Sequence, residues 1–277
     1  MNDQQLQQRA PSIFATEPWQ ERSAKYKFIP TIDVVNGLRD SGFQAVHAIQ
    51  SRSRIYGKQD KVKHMLRFRH QNQFDLNNIA VNDNLPEIVL INSHDGSSAY
   101  KLFLGVFRLV CLNGLIVASS TINSIRAVHA GRASLIDGVI EQSNSLIKQA
   151  PHAFEQVKRW QGITLTPDQQ LDFADQAKSA SGSTLDLDLR YMLGARRMAD
   201  AQSTNDGARG RSLWTTFNVV QENMKKGGII GLSQTGRRMR SRAIKAVDAD
   251  IRLNTKLWQL TEQTASQLAD QFQSNNK

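Results

Sequence analysis

Two groups of basic residues carry the clearest chemistry in this sequence. The first contains Arg52, Arg54, Arg67 and Arg69, with Tyr56 between the two arginine pairs. The second lies near the C-terminus and contains Lys225, Lys226, Arg237, Arg238, Arg240, Arg242 and Lys245. Guanidinium and ammonium groups that contact phosphates release the counterions condensed on a polyanion. Both groups therefore predict phosphate contacts, and Tyr56 predicts a ring on which a base stacks.

The charge distribution agrees with these two groups. The chain has 277 residues and a net charge of +10. Residues 22–70 have a net charge of +8 and residues 205–277 a net charge of +6, so the remaining residues are close to neutral. Two basic blocks predict two attachment regions for a nucleic acid. The alternative is an ordinary solvated basic surface without such a partner.

A hydrolase is the alternative chemistry, built on Cys111, His94 and Asp95. A thiolate nucleophile needs an imidazole and an orienting group beside it. However, Cys111 lies in an apolar strand-like segment, which favours a buried structural thiol, and Asp95 precedes Gly96 in a turn-like SHDG segment. There is no H-E-x-x-H, Walker or G-x-G-x-x-G motif, so we expect neither a metal, a cofactor nor an enzyme activity.

The cysteine content and the apolar runs bear on where the protein works. Cys111 is the single cysteine, which is typical of a reducing compartment, and we expect the cytoplasm. The longest apolar run, Leu102–Leu112, is interrupted by Arg108 and is too short to span a bilayer, so no membrane association is expected.

The first half of the chain has the spacing of an α+β structure. A helix is predicted from Thr31, which serves as its N-cap, to Ser41. Period-two alternation predicts strands over Phe43–Ile55 and Val62–His70, paired as a hairpin with all four arginines of the first basic group on one face. A second hairpin is predicted where PEIVLINS and AYKLFLGVFRLVCL flank the Asp-Gly turn.

The second half, from Ser124, has helical spacing. Thr166 and Pro167 predict a helix start, and Gly227 with Gly228 predicts a helix end. A last long helix is predicted from near Arg237 to Phe272, with Arg238, Arg242 and Lys245 on one face. The predicted organisation is a flexible segment (1–21), a β-rich α+β core (22–123) and a helical region (124–277). The fold class is α+β: N-terminal antiparallel hairpins with one early helix, then a mainly α-helical half.

Several segments resemble a known family of phage and plasmid proteins. The segments are YKFIPTIDVVNGLRDSGF, HMLRFRH, LINSHDGSSAY, GVFRLVCLNGLIV, WTTFNVVQENMKKGG and RRMRSRAIKAVDADIRLNTKLWQL. They resemble the domain-of-unknown-function family numbered nine-three-two, which includes prophage and conjugative-plasmid members. The resemblance implies a mobile genetic element and no established catalytic residues.

A more distant architectural resemblance is to the single-strand annealing recombinases. A short helix ending in Gly-Phe, followed by β-hairpins and then helices, is similar to that superfamily. The resemblance implies a basic groove for the phosphate backbone, side-by-side assembly into a homo-oligomer, and no requirement for ATP. We therefore predict a DNA-binding protein of a mobile element that binds or anneals single-stranded DNA in recombination or replication. A counter-defence factor that binds an acidic host protein is the alternative.

Overall fold

The chain folds into two compact units, Met1–Pro151 and His152–Lys277. The computed structural model describes residues 1–20, 28–71, 84–108, 115–116, 123–124, 132–194 and 211–275. Cys111 lies outside the described residues. Strands and helices occur together, with the larger sheet in the first unit and mainly helices in the second, so the predicted α+β class is confirmed.

The first unit is built on an antiparallel sheet. Its main strands are β1 (Phe43–Gln50), β2 (His64–His70), β3 (Asn84–Asn92) and β4 (Lys101–Arg108), paired in that order. The short strands β5 (Leu115–Ile116) and β6 (Asn123–Ser124) both pair with β4. The two predicted hairpins are therefore confirmed, although β1 ends five residues before the predicted Ile55.

The first unit also contains four helical segments, two of which are formed by the N-terminal residues. They are α1 (Asp3–Arg9), a 3₁₀ helix (Pro11–Phe14), α2 (Thr31–Asp40) and α3 (Arg132–Lys148). Asn2 and Gln5 form a capping box on α1, and Leu6, Ala10 and Ile13 are fully buried. The prediction that residues 1–21 form a flexible segment is therefore wrong for residues 1–20, because their apolar side chains belong to the core.

The boundary between the units also differs from the predicted one after residue 123. Helix α3 packs on α2, β3 and β4, so its apolar face completes the core of the first unit. Gly37 of α2 lies against Ile136 of α3, where a Cβ atom on Gly37 would collide with the isoleucine side chain. Helix α3 therefore belongs to the first unit, which ends at Pro151.

The second unit combines helices with a three-stranded sheet. Its elements are α4 (Ala150–Gly162), which begins at the boundary, α5 (Pro167–Ser181), β7 (Asp186–Leu187), α6 (Leu189–Leu193), α7 (Leu213–Lys226), β8 (Ile230–Leu232), β9 (Arg238–Arg240) and α8 (Val247–Asn275). Trp160 packs edge-on against Trp258 at 4.4 Å between ring centroids, and Trp214 stacks on Phe217. Because Trp160 also lies beside Trp214, at 6.1 Å between ring centroids, these rings join α4, α7 and α8 into one core.

Two predicted helix boundaries of the second unit are confirmed. Thr166 and Gln169 form a capping box at the start of α5. Gly227 follows the last residue of α7 with φ at +68°, a conformation that glycine adopts without strain. Within the described ranges, no helix is both long and apolar enough to cross a membrane.

Candidate nucleic-acid interface

Both arginines of β2 are paired with one buried carboxylate. Arg67 donates through Nε to Oε2 of Glu87 at 2.6 Å, and Arg69 donates through Nη2 to Oε1 at 2.7 Å. Glu87 is fully buried on β3, and the two arginine side chains are 12% and 22% exposed. The geometry follows from the β2–β3 register, in which Phe68 faces Ile88. Both oxygens of the carboxylate are thus occupied by the guanidinium groups.

The predicted four-arginine strip does not form. Strand β1 ends at Gln50, and Arg52 and Arg54 lie in the irregular, exposed segment that follows. The side chain of Gln59 takes the place of a partner strand after Gln50. Its Oε1 accepts from the Ser53 backbone N–H at 2.9 Å. The prediction that all four arginines share one strand face is wrong.

The sheet face that carries Arg67 and Arg69 is also not an open surface. Met65 on β2, Val89 and Ile91 on β3 and Phe103 on β4 share this face with the arginines, and all four are buried. Tyr56, in the loop between β1 and β2, is fully exposed, and its neighbour Ile55 is also exposed. In the first unit, Arg52, Arg54 and Tyr56 are therefore the predicted contact residues that solvent reaches most freely.

The basic segment 237–245 is a strand and a loop, not the start of a helix. Arg238–Arg240 form β9, which pairs with β8 so that Leu232 faces Arg238 and Ile230 faces Arg240. Gly236, with φ at +76°, makes the turn between the strands, and α8 begins only at Val247. The prediction of a helix from near Arg237, with Arg238, Arg242 and Lys245 on one helical face, is therefore wrong. We call residues 228–245 the basic hairpin.

The basic hairpin exposes its cations. Its five basic side chains are all exposed and form no hydrogen bond or ion pair with any part of the chain that the structure describes: Arg237, Arg238, Arg240, Arg242 and Lys245. Lys225 and Lys226, at the end of α7, differ from them. Lys225 pairs with Asp250 at 2.7 Å, and Lys226 pairs with the buried Glu222. The predicted second group is thus divided into five free cations and two neutralised ones.

Backbone contacts fix the base of the basic hairpin to the end of α7. The Gly228 N–H donates to the Ser241 carbonyl at 2.8 Å, and the Ile244 N–H donates to the Lys225 carbonyl at 2.9 Å. A Cβ atom on Gly227 would lie 2.5 Å from backbone atoms of Arg242 and Ala243, so this approach requires glycine. The hairpin cations are consequently presented from an anchored backbone.

A cleft of about 570 Å³ opens beside the basic hairpin, within the second unit. Among the described residues, no aspartate or glutamate lines it, and four basic side chains do: Arg240, Arg242, Arg252 and Lys256. Arg252 and Lys256 were not among the predicted site residues. Together with Ala249 and Leu253 they occupy positions i, i+3, i+4 and i+7 of α8, a spacing that could have indicated a shared helix face.

The hydrolase candidate His94 belongs to a buried polar cluster. Its Nε2 lies 3.0 Å from Oγ1 of Thr31, which also lies within hydrogen-bond distance of Nε2 of His64 and accepts from the Asn92 amide. Burial, reinforced by Lys61, lowers the pKa of His94 to about 4. Thr31 is the first residue of α2 and Pro30 its N-cap, so the predicted capping role of Thr31 is wrong. Its hydroxyl instead joins α2 to β2 and β3.

Asp95 contacts its own turn and the loop between β1 and β2. Its carboxylate accepts from the Ser97 backbone N–H at 3.0 Å and pairs with Lys58 at 3.1 Å. These local contacts lower the pKa of Asp95 to about 2, against an opposing effect of burial. Over the described ranges, no three His, Cys, Asp or Glu side chains are grouped as metal ligands. The contacts of the Asp95 carboxylate thus tie the turn to Lys58.

Comparisons with known proteins place the sequence among uncharacterised relatives. A family model described as "Domain of unknown function (DUF932)" matches residues 18–258. The chain is 34% identical to UPF0380 protein YafZ of Escherichia coli (strain K12), over 93% of this chain and 89% of that protein. It is equally similar, with the same coverage, to UPF0380 protein YfjQ of the same strain. No solved structure matches the chain.

Proposed function

The chain belongs to the DUF932 family, whose description assigns no activity, and from the site geometry we propose that this protein binds DNA through the basic hairpin. The observation that carries the proposal is the group of five exposed cations without carboxylate partners among the described residues. Like charges so close together repel one another, and phosphate oxygens offer the missing counter-charge.

We expect single-stranded DNA to be the preferred ligand. The cleft beside the hairpin offers apolar surface next to cations, and only an unpaired strand has free base faces to place on such a surface. A role in recombination or replication of a mobile element, assembly of several copies along a strand, and a cytoplasmic location complete the proposal. They rest on the family resemblance and composition.

Salt-dependent binding tests the proposal. Fluorescence anisotropy of a labelled oligonucleotide, single-stranded or duplex, is followed from about 50 to 200 mM salt. The logarithm of the affinity falls as the logarithm of the salt concentration rises. Changing Arg238, Arg240 and Arg242 to Gln should make this slope shallower by about 2, at about 0.7 for each single-strand phosphate contact. A matched control changes three exposed cations outside the hairpin and cleft: Lys148, Lys158 and Arg190.

Two results would overturn the proposal. One is a wild-type protein that binds neither single-stranded nor duplex DNA at low salt, which would favour the acidic protein partner. The other is a triple Gln variant with the wild-type salt slope and with unchanged circular dichroism and melting temperature. A control variant that loses as much slope as the triple variant would show that net charge, and not the hairpin, determines affinity.

A further inference from the structure

The cleft beside the basic hairpin has two chemically different parts. Its floor is apolar and formed by the buried side chains of Leu187, Met224, Ile229 and Leu253. Its volume of about 570 Å³ lies within the range of roughly 300–1,000 Å³ that is typical of small-molecule sites. Apolar surface in a recess of this size favours an apolar group whose burial removes that surface from water.

The rim of the cleft is cationic and polar. Arg240 and Arg242 of the hairpin and Arg252 and Lys256 of α8 line it, all with exposed side chains. Lys256 is partly engaged, since its Nζ donates to the Ala180 carbonyl at 2.7 Å. The loop after α5 adds further polar groups, including the hydroxyl of the exposed Thr184. An anionic ligand with a hydrogen-bonding edge matches this rim.

A nucleotide combines these properties, because a flat base is attached to an anionic phosphate. We infer that the cleft receives one unpaired base of the bound strand, with its face against the apolar floor and its flanking phosphates on Arg240 and Arg242. This inference rests on the proposed function. In a duplex, the base faces are covered by stacking and their edges by pairing, so a duplex would have to expel a base to fill the cleft. The cleft thus becomes the determinant of strand preference.

Filling the cleft tests the inference without removing a cation. Ala249 lines the cleft on α8, and Ala249→Phe places a ring in the space assigned to the base. Thr184→Trp fills the cleft from the opposite loop and keeps the test valid if the first variant is poorly folded. The matched control is Ala269→Phe, at an exposed position of the same helix outside the cleft.

The probe is a deoxythymidine oligonucleotide with one 2-aminopurine, whose fluorescence rises when the base leaves its neighbours. Wild type and Ala269→Phe should raise this fluorescence on binding. Both filling variants should lose the rise and bind the single strand about ten-fold more weakly, because the stacking of one base is lost. Their duplex affinity and salt slope should stay at the wild-type values.

The outcomes separate this inference from the proposed function. If both filling variants are folded and keep the wild-type affinity and fluorescence rise, while the arginines remain necessary, the inference is overturned and the DNA-binding proposal stands. If wild type binds no DNA, the proposed function itself fails. A second experiment adds free deoxyadenosine monophosphate as a competitor to the protein–oligonucleotide complex. A saturating concentration of this nucleotide should weaken oligonucleotide binding about ten-fold, as the filling variants do, whereas nucleotide binding that leaves the oligonucleotide affinity unchanged overturns the inference.

Discussion

Two strands of this protein carry the same Arg-x-Arg pattern and differ in what lies opposite. On β2, Arg67 and Arg69 hold the buried Glu87 between them. On β9, Arg238 and Arg240 face Leu232 and Ile230, and their side chains remain exposed. The neighbouring strand therefore decides whether an arginine pair forms part of a folded core or offers charge to a ligand. A count of basic residues does not distinguish the two situations.

The largest expected effect is on the β2 pair. Changing Arg67 and Arg69 together to Ala leaves Glu87 buried without a counter-charge, and breaking a buried pair costs about 3–5 kcal/mol. Urea unfolding followed by circular dichroism should show a loss of this size. Adding Glu87→Gln to the double variant should restore part of the stability. A double variant as stable as wild type that loses DNA binding would assign β2 to the interface and break the comparison.

The second effect is on stability at mildly acidic pH, and it comes from two buried histidines of the first unit. Burial lowers the pKa of His64 to about 3 and that of His94 to about 4. As the pH falls through 6.5, both imidazoles take up protons in the unfolded chain and stay neutral in the folded one. The unfolded state then binds more protons than the folded one. The contribution of these two histidines to the free energy of unfolding is therefore present above about pH 6.5 and is lost progressively below it.

From pH 7.5 to 5.5 this linkage amounts to about 2.7 kcal/mol for the two histidines together. Chemical unfolding at the two pH values measures it, and His94→Asn should reduce the difference by about half. Equal stability at both pH values would contradict the assignment of neutral, buried imidazoles.

A smaller effect tests whether the first unit contributes to DNA binding at all. Tyr56→Ala should weaken single-strand binding about five-fold, the lower end of the stacking range of about 1–3 kcal/mol per base. Tyr56→Phe keeps the ring and should bind like wild type. Anisotropy titrations at one salt concentration measure both. If Tyr56→Ala binds normally, the exposed loop of the first unit has no part in the interface.

The smallest expected effect comes from a variant that places a carboxylate beside an arginine of β9, as Glu87 lies beside the arginines of β2. Leu232 is exposed and directly faces Arg238, so Leu232→Glu places a carboxylate beside that arginine. The salt slope should fall by about 0.7, the value of one single-strand phosphate contact. Leu232→Gln is the matched control, with the same shape and no charge. An unchanged slope in Leu232→Glu would mean that Arg238 makes no phosphate contact.

The sequence alone was sufficient for the hairpins and for the ends of several helices. Period-two alternation around the Asp-Gly turn indicated β3 and β4, and Thr166 and Gly227 marked helix boundaries through local backbone chemistry. The segment RRMRSR was wrongly included in the last helix because the apolar residues that follow it recur with helical spacing, although its own arginines recur with period two. Gly236 was the local signal for a turn.

The remaining features depend on contacts between distant residues. Glu87 reaches Arg67 and Arg69 only through the β2–β3 register, which sequence spacing does not specify. The cleft needs the loop after α5, the basic hairpin and α8 in one place, so Arg252 and Lys256 escaped prediction. Tyr56 and the hairpin cations, in contrast, were predicted as contact residues from the sequence and are exposed in the structure, while their role in binding stays a prediction.

The position of β9 at the edge of its sheet has a consequence for solubility. Among the described residues β9 pairs with β8 alone, so its other side presents unpaired backbone groups that could recruit a strand from another molecule. Arg238 and Arg240 oppose such aggregation, because two copies meeting edge to edge would bring like charges together. Neutral variants of these arginines lose that protection. Their sedimentation behaviour should therefore be measured before their affinities are compared.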